Sequence, residues 1–172
     1  MLIPLRREME RLRTYYGHRL RCVPGCCACC GELSVLPLEA AMINAAYAGL
    51  APDLRTRIRD AASAGREYCP FLVNRLCAIY GSRPLICRTH GLPIAYVNQE
   101  QGAIEVSACP ENFSLDSQFD HGGLLFLDRF NGELQALNQR FARETGRDPG
   151  QRISLSRIVL PGRWRARKAL LF

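Results

Sequence analysis

Cys22-Val23-Pro24-Gly25-Cys26-Cys27-Ala28-Cys29-Cys30-Gly31 is the stretch on which the reading of this chain turns. Half of its residues are cysteine, and Pro24, Gly25 and Gly31 mark it as a loop rather than a helix or strand. Two interleaved C-x-x-C pairs lie inside it, Cys26 with Cys29 and Cys27 with Cys30, and Cys22 stands just upstream. That spacing lets two sulfurs converge on one ion at about 2.3 Å each. Adjacent cysteines such as Cys29 and Cys30 point in different directions. They serve different metals more naturally than one, or one of them backs up a ligand without binding.

Four more cysteines follow at longer spacings, Cys69, Cys77, Cys87 and Cys109. The total is nine in 172 residues, an odd number, so a fully cross-linked disulfide framework would leave a thiol over. The N-terminus, Met1 to Arg11, has no apolar core and no small-residue cleavage site, so it does not read as a secretory signal. The expected location is the cytoplasm, where thiols stay reduced and clustered ones bind metal or do redox chemistry. No apolar run approaches the roughly 20 residues of a membrane helix.

The net charge of +7 is easily over-read. Lys168 is the only lysine among the 23 basic residues, a skew that coding bias explains most simply. Two sites of four thiolates, each around a +2 centre and each therefore −2, would bring the loaded chain from +7 to +3. Much of the positive excess then offsets metal–thiolate charge, and no nucleic-acid partner is expected. The basic run Arg163-Trp164-Arg165-Ala166-Arg167-Lys168 reads as a solvated helix face.

Around the cysteines the chain reads as mainly α with one or two small β-hairpins. Leu2, Leu5, Met9, Leu12 and Tyr16 recur at steps of three and four, predicting a helix over about 4–19. Pro37 opens a second helix that Gly49 closes, and Asp53 is a fair cap for a third. Phe71–Val73 and Leu76–Tyr80, separated by Asn74-Arg75, read as a hairpin or irregular ribbon, with a helical turn after Pro84. Leu92–Asn98 and Ala103–Ser107 form a better hairpin. The longest helix is expected from about Gly123 to Glu144, ended by Gly146, with a short helix after Ser154 and another over 162–171. With no internal repeat and no linker, 1–172 reads as a metal-stapled, cysteine-rich single domain. Its metal-binding core is 22–110, and 111–172 is a helical C-terminal part.

The motifs now resemble a known family. Cys22-x3-Cys26-x2-Cys29-Cys30, then Glu39, Cys69-Pro70-Phe71-Leu72, Cys77-Ala78-Ile79-Tyr80, Arg83-Pro84 and Cys87-Arg88 are similar to the YkgJ-like cysteine-cluster family, the CxxCxxCC domain. The similarity covers roughly residues 22–110 and departs in two places. Three residues rather than two separate Cys22 from Cys26, and Cys27 stands where the family usually has another residue. The resemblance implies zinc or iron chelation, a frequent label of iron–sulfur oxidoreductase, and Cys27 as the supernumerary thiol. The implied metal ligands are Cys22, Cys26, Cys29, Cys30, Cys69, Cys77, Cys87 and Cys109.

Residue types alone leave the metal open, because all-thiolate sites suit Zn²⁺ and iron–sulfur clusters alike. Phe71, Leu72, Ile79 and Leu85 would shield a cluster from water, and Arg83 and Arg88 would offset its charge, features that tilt the reading toward iron. Three metals bridged by all nine thiolates would also use Cys27. His90, in Cys87-Arg88-Thr89-His90, has a chelating spacing but reads first as a loop imidazole bonded to backbone. Glu39 reads as a surface carboxylate or an arginine partner.

No phosphate-cradling G-x-x-x-x-G-K, no dinucleotide fingerprint and no hydrolase elbow occurs. The C-x3-C-x2-C spacing matches the radical S-adenosylmethionine motif, but the chain is short for the barrel such enzymes need and lacks its βα rhythm. Three functions stay open. The first is an iron–sulfur or iron protein in redox chemistry or metal handling, with a redox protein partner. The second is a structural-zinc interaction module. The third is a small metal-dependent enzyme modifying a protein or peptide side chain.

Overall fold

The computed structural model describes residues 2–65, 67–98, 100–162 and Trp164. Among them are six α-helices: α1 (Leu2–Tyr16), α2 (Pro37–Ala48), α3 (Pro52–Ser63), α4 (Leu85–Thr89), α5 (Asp128–Thr145) and α6 (Leu155–Val159). The strands are short: β1 (Ser34–Val35), β2 (Leu72–Val73), β3 (Leu76–Cys77), β4 (Ile94–Asn98), β5 (Ala103–Ser107), β6 (Leu125–Phe126) and β7 (Ile153–Ser154). The architecture is mainly α with small β elements, and no described helix is long and apolar enough to cross a membrane. The chain forms two compact units, Met1–Cys29 with Leu85–Ala136, and Cys30–Pro84 with Leu137–Phe172.

In the first unit α1 buries Leu5, Met9, Leu12 and Tyr16, while Leu2 is 41% exposed and the helix stops at Tyr16, ahead of a 3-10 turn over Gly17–Arg19. Gly17 turns the chain there with φ +48°, a conformation that ends a regular helix. The expected 92–107 hairpin is β4 and β5, in register with Val97 opposite Ile104. The helix expected from Gly123 begins only at Asp128. Asp120 accepts from the Gly123 N–H at 2.8 Å, fixing a 3-10 turn, and the next residues pair parallel to β4 as β6. Leu125 N–H donates to Pro93 and Leu127 N–H to Ala95, so main-chain pairing outcompetes helix at these positions.

The underside of α1 closes on that same turn. Tyr16 donates its hydroxyl to the Gly123 carbonyl at 2.7 Å, and Tyr15 donates to Asp120. A Cβ at position 123 would collide with the Tyr16 hydroxyl and lie 3.2 Å from its Cζ. Gly123→Ala should therefore destabilise the protein by about 1–3 kcal/mol, read as a lower denaturant midpoint at unchanged slope. An unchanged midpoint would remove the contact from the account.

The second unit packs α2, α3 and α6 around Val35, Ile43, Ile58, Phe71, Ile79, Ile153, Leu155 and Ile158. Pro37 opens α2 as expected, and Gly49 caps it. Glu39 is buried rather than a surface group, and its carboxylate accepts from the Leu36 N–H at 3.3 Å, closing the first turn of the helix. Asp53 does not cap α3: Pro52 already opens it after Ala51, leaving Asp53 in the first turn, where its charge complements the helix dipole. Asn74 and Arg75 take φ +51° and +61°, the left-handed pair that a tight two-residue hairpin between β2 and β3 requires.

Ser154 caps α6, accepting from the Arg157 N–H. Gly146, at φ +65°, ends α5, with the Arg147 N–H returning to the Ala142 carbonyl. Buried Asn138 on α5 accepts from the Leu38 N–H at 3.1 Å and donates to the Pro149 carbonyl at 2.8 Å. Apart from Gly162 and Trp164, the helix expected over 162–171 and its basic run lie outside the described residues. Trp164 itself is buried beneath the Arg147 guanidinium, 4.7 Å from ring centre to charge.

Candidate metal centre

Beyond the 3-10 turn that follows α1, residues 20–30 form no helix or strand. Val23-Pro24-Gly25-Cys26 is a tight turn, with the Cys26 N–H donating to the Val23 carbonyl at 3.0 Å and Gly25 at φ +94°. Proline second and left-handed glycine third is the type II pattern. The turn explains how three residues fit between Cys22 and Cys26.

Three thiols of the first unit act on a fourth, Cys29. The Cys29 thiol is pushed up, first by partial burial of its sulfur and then by Cys109, with Cys26 and Cys22 adding smaller pushes in the same direction. Partial burial acts at the sulfur although the residue as a whole is exposed, like Cys22 and Cys26. Cys109 comes from a segment about eighty residues away and is half-buried. Its carbonyl accepts from the Asn112 and Phe113 N–H groups, and buried Phe113 anchors the turn against Tyr16, ring centres 4.9 Å apart.

The sequence clusters Cys22, Cys26, Cys27, Cys29 and Cys30 and spreads Cys69, Cys77, Cys87 and Cys109 beyond them, without fixing which share a metal. The structure sets Cys109 beside Cys29, and puts Cys30 in the second unit with Cys69 and Cys77. There the Cys69 N–H donates to the Cys30 carbonyl at 3.0 Å, next to a Gly31–Tyr68 bridge. Cys69 and Cys77 pack, half-buried, against the core that holds Phe71 and Ile79. Burial pushes the Cys77 thiol up, while a hydrogen bond from the Ile79 backbone and the charge of Arg83 pull it back. Arg83 stacks on Tyr80 at 3.7 Å and donates to the Tyr80 carbonyl. Cys87 stands half-buried on α4 of the first unit, and Cys27 is half-buried in the loop.

No disulfide joins any of the nine cysteines. Among the described residues, no three His, Cys, Asp or Glu side chains stand close enough together to hold an ion as placed. The donor chemistry nevertheless fits zinc or iron. Cys22, Cys26 and Cys29 stand outside disulfides, so thiophilic metals can take them as thiolates, and their loop has no helix or strand ladder that would resist closing up.

Two residues that the sequence did not single out shape this site. Asn112 donates from Nδ2 to Cys22 Sγ at 3.3 Å and to the Gly91 carbonyl at 2.7 Å, and its Oδ1 accepts from the Arg21 N–H at 2.9 Å. Gly91 takes φ +97°, and a Cβ there would lie 2.5 Å from Cys22 Sγ. The nearest signals were the position of Asn112 three residues beyond Cys109 and that of Gly91 just past α4, and neither is specific.

His90 follows α4, its N–H donating to the Ile86 carbonyl. Its buried Nε2 has no hydrogen-bond partner, and burial holds its pKa down. A histidine kept neutral in this way contributes stability that is whole above its ordinary pKa and is lost as pH falls through the lowered folded value. His90→Phe should therefore flatten the acid limb of the stability–pH curve below about pH 6.5 and leave it unchanged at pH 8. An unaltered acid limb would contradict this assignment.

No curated protein and no solved structure matches the chain. A family model does, over residues 21–110, just over half of the length and spanning every cysteine described above. The chain belongs to that family, the CxxCxxCC domain, "Putative zinc- or iron-chelating domain".

Proposed function

We propose that the chain binds iron, as an iron–sulfur cluster or as thiolate-held iron, and works in redox chemistry or metal handling. Eight cysteines are the ligands in this reading. Cys22, Cys26, Cys29 and Cys109 make one set, Cys30, Cys69 and Cys77 make a second within their own unit, and Cys87 is a further ligand on α4. The observation that carries the reading is that Cys109, Cys26 and Cys22 converge on Cys29, each adding to the push on its thiol. A thiol whose ionisation its neighbours oppose is relieved when a cation binds, since the proton lost is replaced by attraction to the metal. The bound metal would supply charge and, if iron, a one-electron couple. The chain's own residues gather the sulfurs, with the irregular 20–30 loop tightening around the ion.

Iron is supported by the apolar packing of Cys69 and Cys77 against Phe71 and Ile79, with the Arg83 charge near Cys77. Structural zinc is the second reading, favoured by one observation. Cys22, Cys26 and Cys29 are exposed on a loop without secondary structure, which a staple would hold and an oxygen-sensitive cluster would leave open to solvent. Iron, zinc and acid-labile sulfide measured on one anaerobic sample separate the two. Brown protein with iron and sulfide supports the first, and colourless protein with stoichiometric zinc replaces it with the second.

A further inference from the structure

We propose that Asn112 is the positioning residue of the Cys22 ligand, donating a hydrogen bond to its sulfur and thereby setting how tightly the first set holds its metal. The inference rests on the reading of Cys22 as a ligand given above. The amide's orientation follows from its neighbours. The Arg21 N–H at 2.9 Å needs an acceptor and the Gly91 carbonyl at 2.7 Å needs a donor, so Oδ1 must face the first and Nδ2 the second. With Nδ2 so placed, its second hydrogen is directed to Cys22 Sγ at 3.3 Å. A flipped amide would set oxygen against both the carbonyl and the sulfur.

Asn112 thus joins three segments that no secondary structure joins: the residues before Cys22, the turn after α4, and the turn that begins at Cys109. It ties the ligand nearest the start of the loop to the backbone that carries the most distant one. Gly91 completes the seat from the other side, because its missing Cβ is what lets the sulfur approach the amide. Residues that orient a metal ligand through its other contacts typically change metal affinity by about 10- to 100-fold when removed. Here the hydrogen bond also draws electron density from the sulfur lone pair. Losing it raises the energy of that pair and brings thiolate-to-metal charge transfer to longer wavelength.

The test loads wild-type protein and Asn112→Ala with Co²⁺ under reducing, anaerobic conditions. The expected result is about 10- to 100-fold weaker Co²⁺ binding by the variant, with its thiolate-to-cobalt band moved to longer wavelength. In a Cys22→Ser background Asn112→Ala should leave the band where it is. A merely structural asparagine would change stability and affinity without moving the band, and that outcome, or an unchanged affinity and band together, overturns the proposal.

Wild-type protein loaded with NMR-active cadmium gives a reading that does not depend on the variant's folding. One Asn112 side-chain amide proton should couple to the metal through Cys22 Sγ. Coupling at the Cys22 β-protons but none at the Asn112 amide overturns the role of Asn112 alone. No coupling at Cys22 at all overturns the ligand assignment beneath it.

Discussion

Cys29→Ser should strip the metal from the first set and lower the melting temperature of anaerobically loaded protein by about 8–16 °C. A ligand present at 1,000 times its Kd stabilises a folded chain by about 4.1 kcal/mol, and a chain of this length shifts by about 2–4 °C per kcal/mol. Cys29 is the thiol that Cys109, Cys26 and Cys22 all act upon, so its loss removes the common neighbour of the set. Serine keeps the size and the polarity, so a purely structural cysteine would register little. Two controls fix the cause. Cys27→Ser, outside the proposed set, should leave metal content and melting nearly unchanged. In excess chelator, wild type and Cys29→Ser should melt together, because the difference between them is bound metal. A Cys29→Ser protein that keeps full metal and full stability would exclude Cys29 as a ligand.

Gly91→Ala carries the second large effect, through two separable causes. At φ +97° any side chain is strained, at about 1–2 kcal/mol for an ordinary residue. The new Cβ would also stand 2.5 Å from Cys22 Sγ and 3.4 Å from Asn112 Nδ2. Ordinary contact begins near 3.5 Å, so the sulfur must retreat by about 1 Å, which breaks its hydrogen bond to Asn112 and adds about 1–3 kcal/mol. Gly25→Ala separates the two causes, since Gly25 has nearly the same φ, +94°, and a Cβ there meets nothing within 4 Å. The expected order in melting temperature is wild type, then Gly25→Ala, then Gly91→Ala. Only Gly91→Ala should weaken metal binding through Cys22, and equal losses in both variants would mean that the Cys22 seat is not built on Gly91.

Much of this could be read from the residues because the signals were local. The type II turn in the cysteine loop follows from Pro24-Gly25, the β2–β3 turn from Asn74-Arg75, and the end of α5 from Gly146. What escaped the sequence depended on partners far along the chain. β6 exists because residues 125–127 bond to the backbone of Pro93 and Ala95, an arrangement that no helical periodicity announces. Glu39 looked like a surface group because burial of a carboxylate depends on a neighbouring N–H, here that of Leu36. The partition of the thiols escaped for the same reason. C-x-x-C spacing ties Cys26 to Cys29, but only the fold brings in Cys109 and assigns Cys30 to the unit of Cys69 and Cys77. Asn112 and Gly91 were invisible because neither residue type is a metal ligand. What the fold shows is that both seat the Cys22 sulfur.

The central claim is that bound cations gather these sulfurs and hold the loops that carry them. Its most direct measurement is the thermal unfolding of freshly prepared, reduced protein before and after exhaustive chelation, with iron and zinc quantified on both samples. The account predicts stoichiometric transition metal in the first sample and a lower melting temperature once it is removed. Metal-free protein that unfolds cooperatively at the same temperature with and without chelator would contradict it.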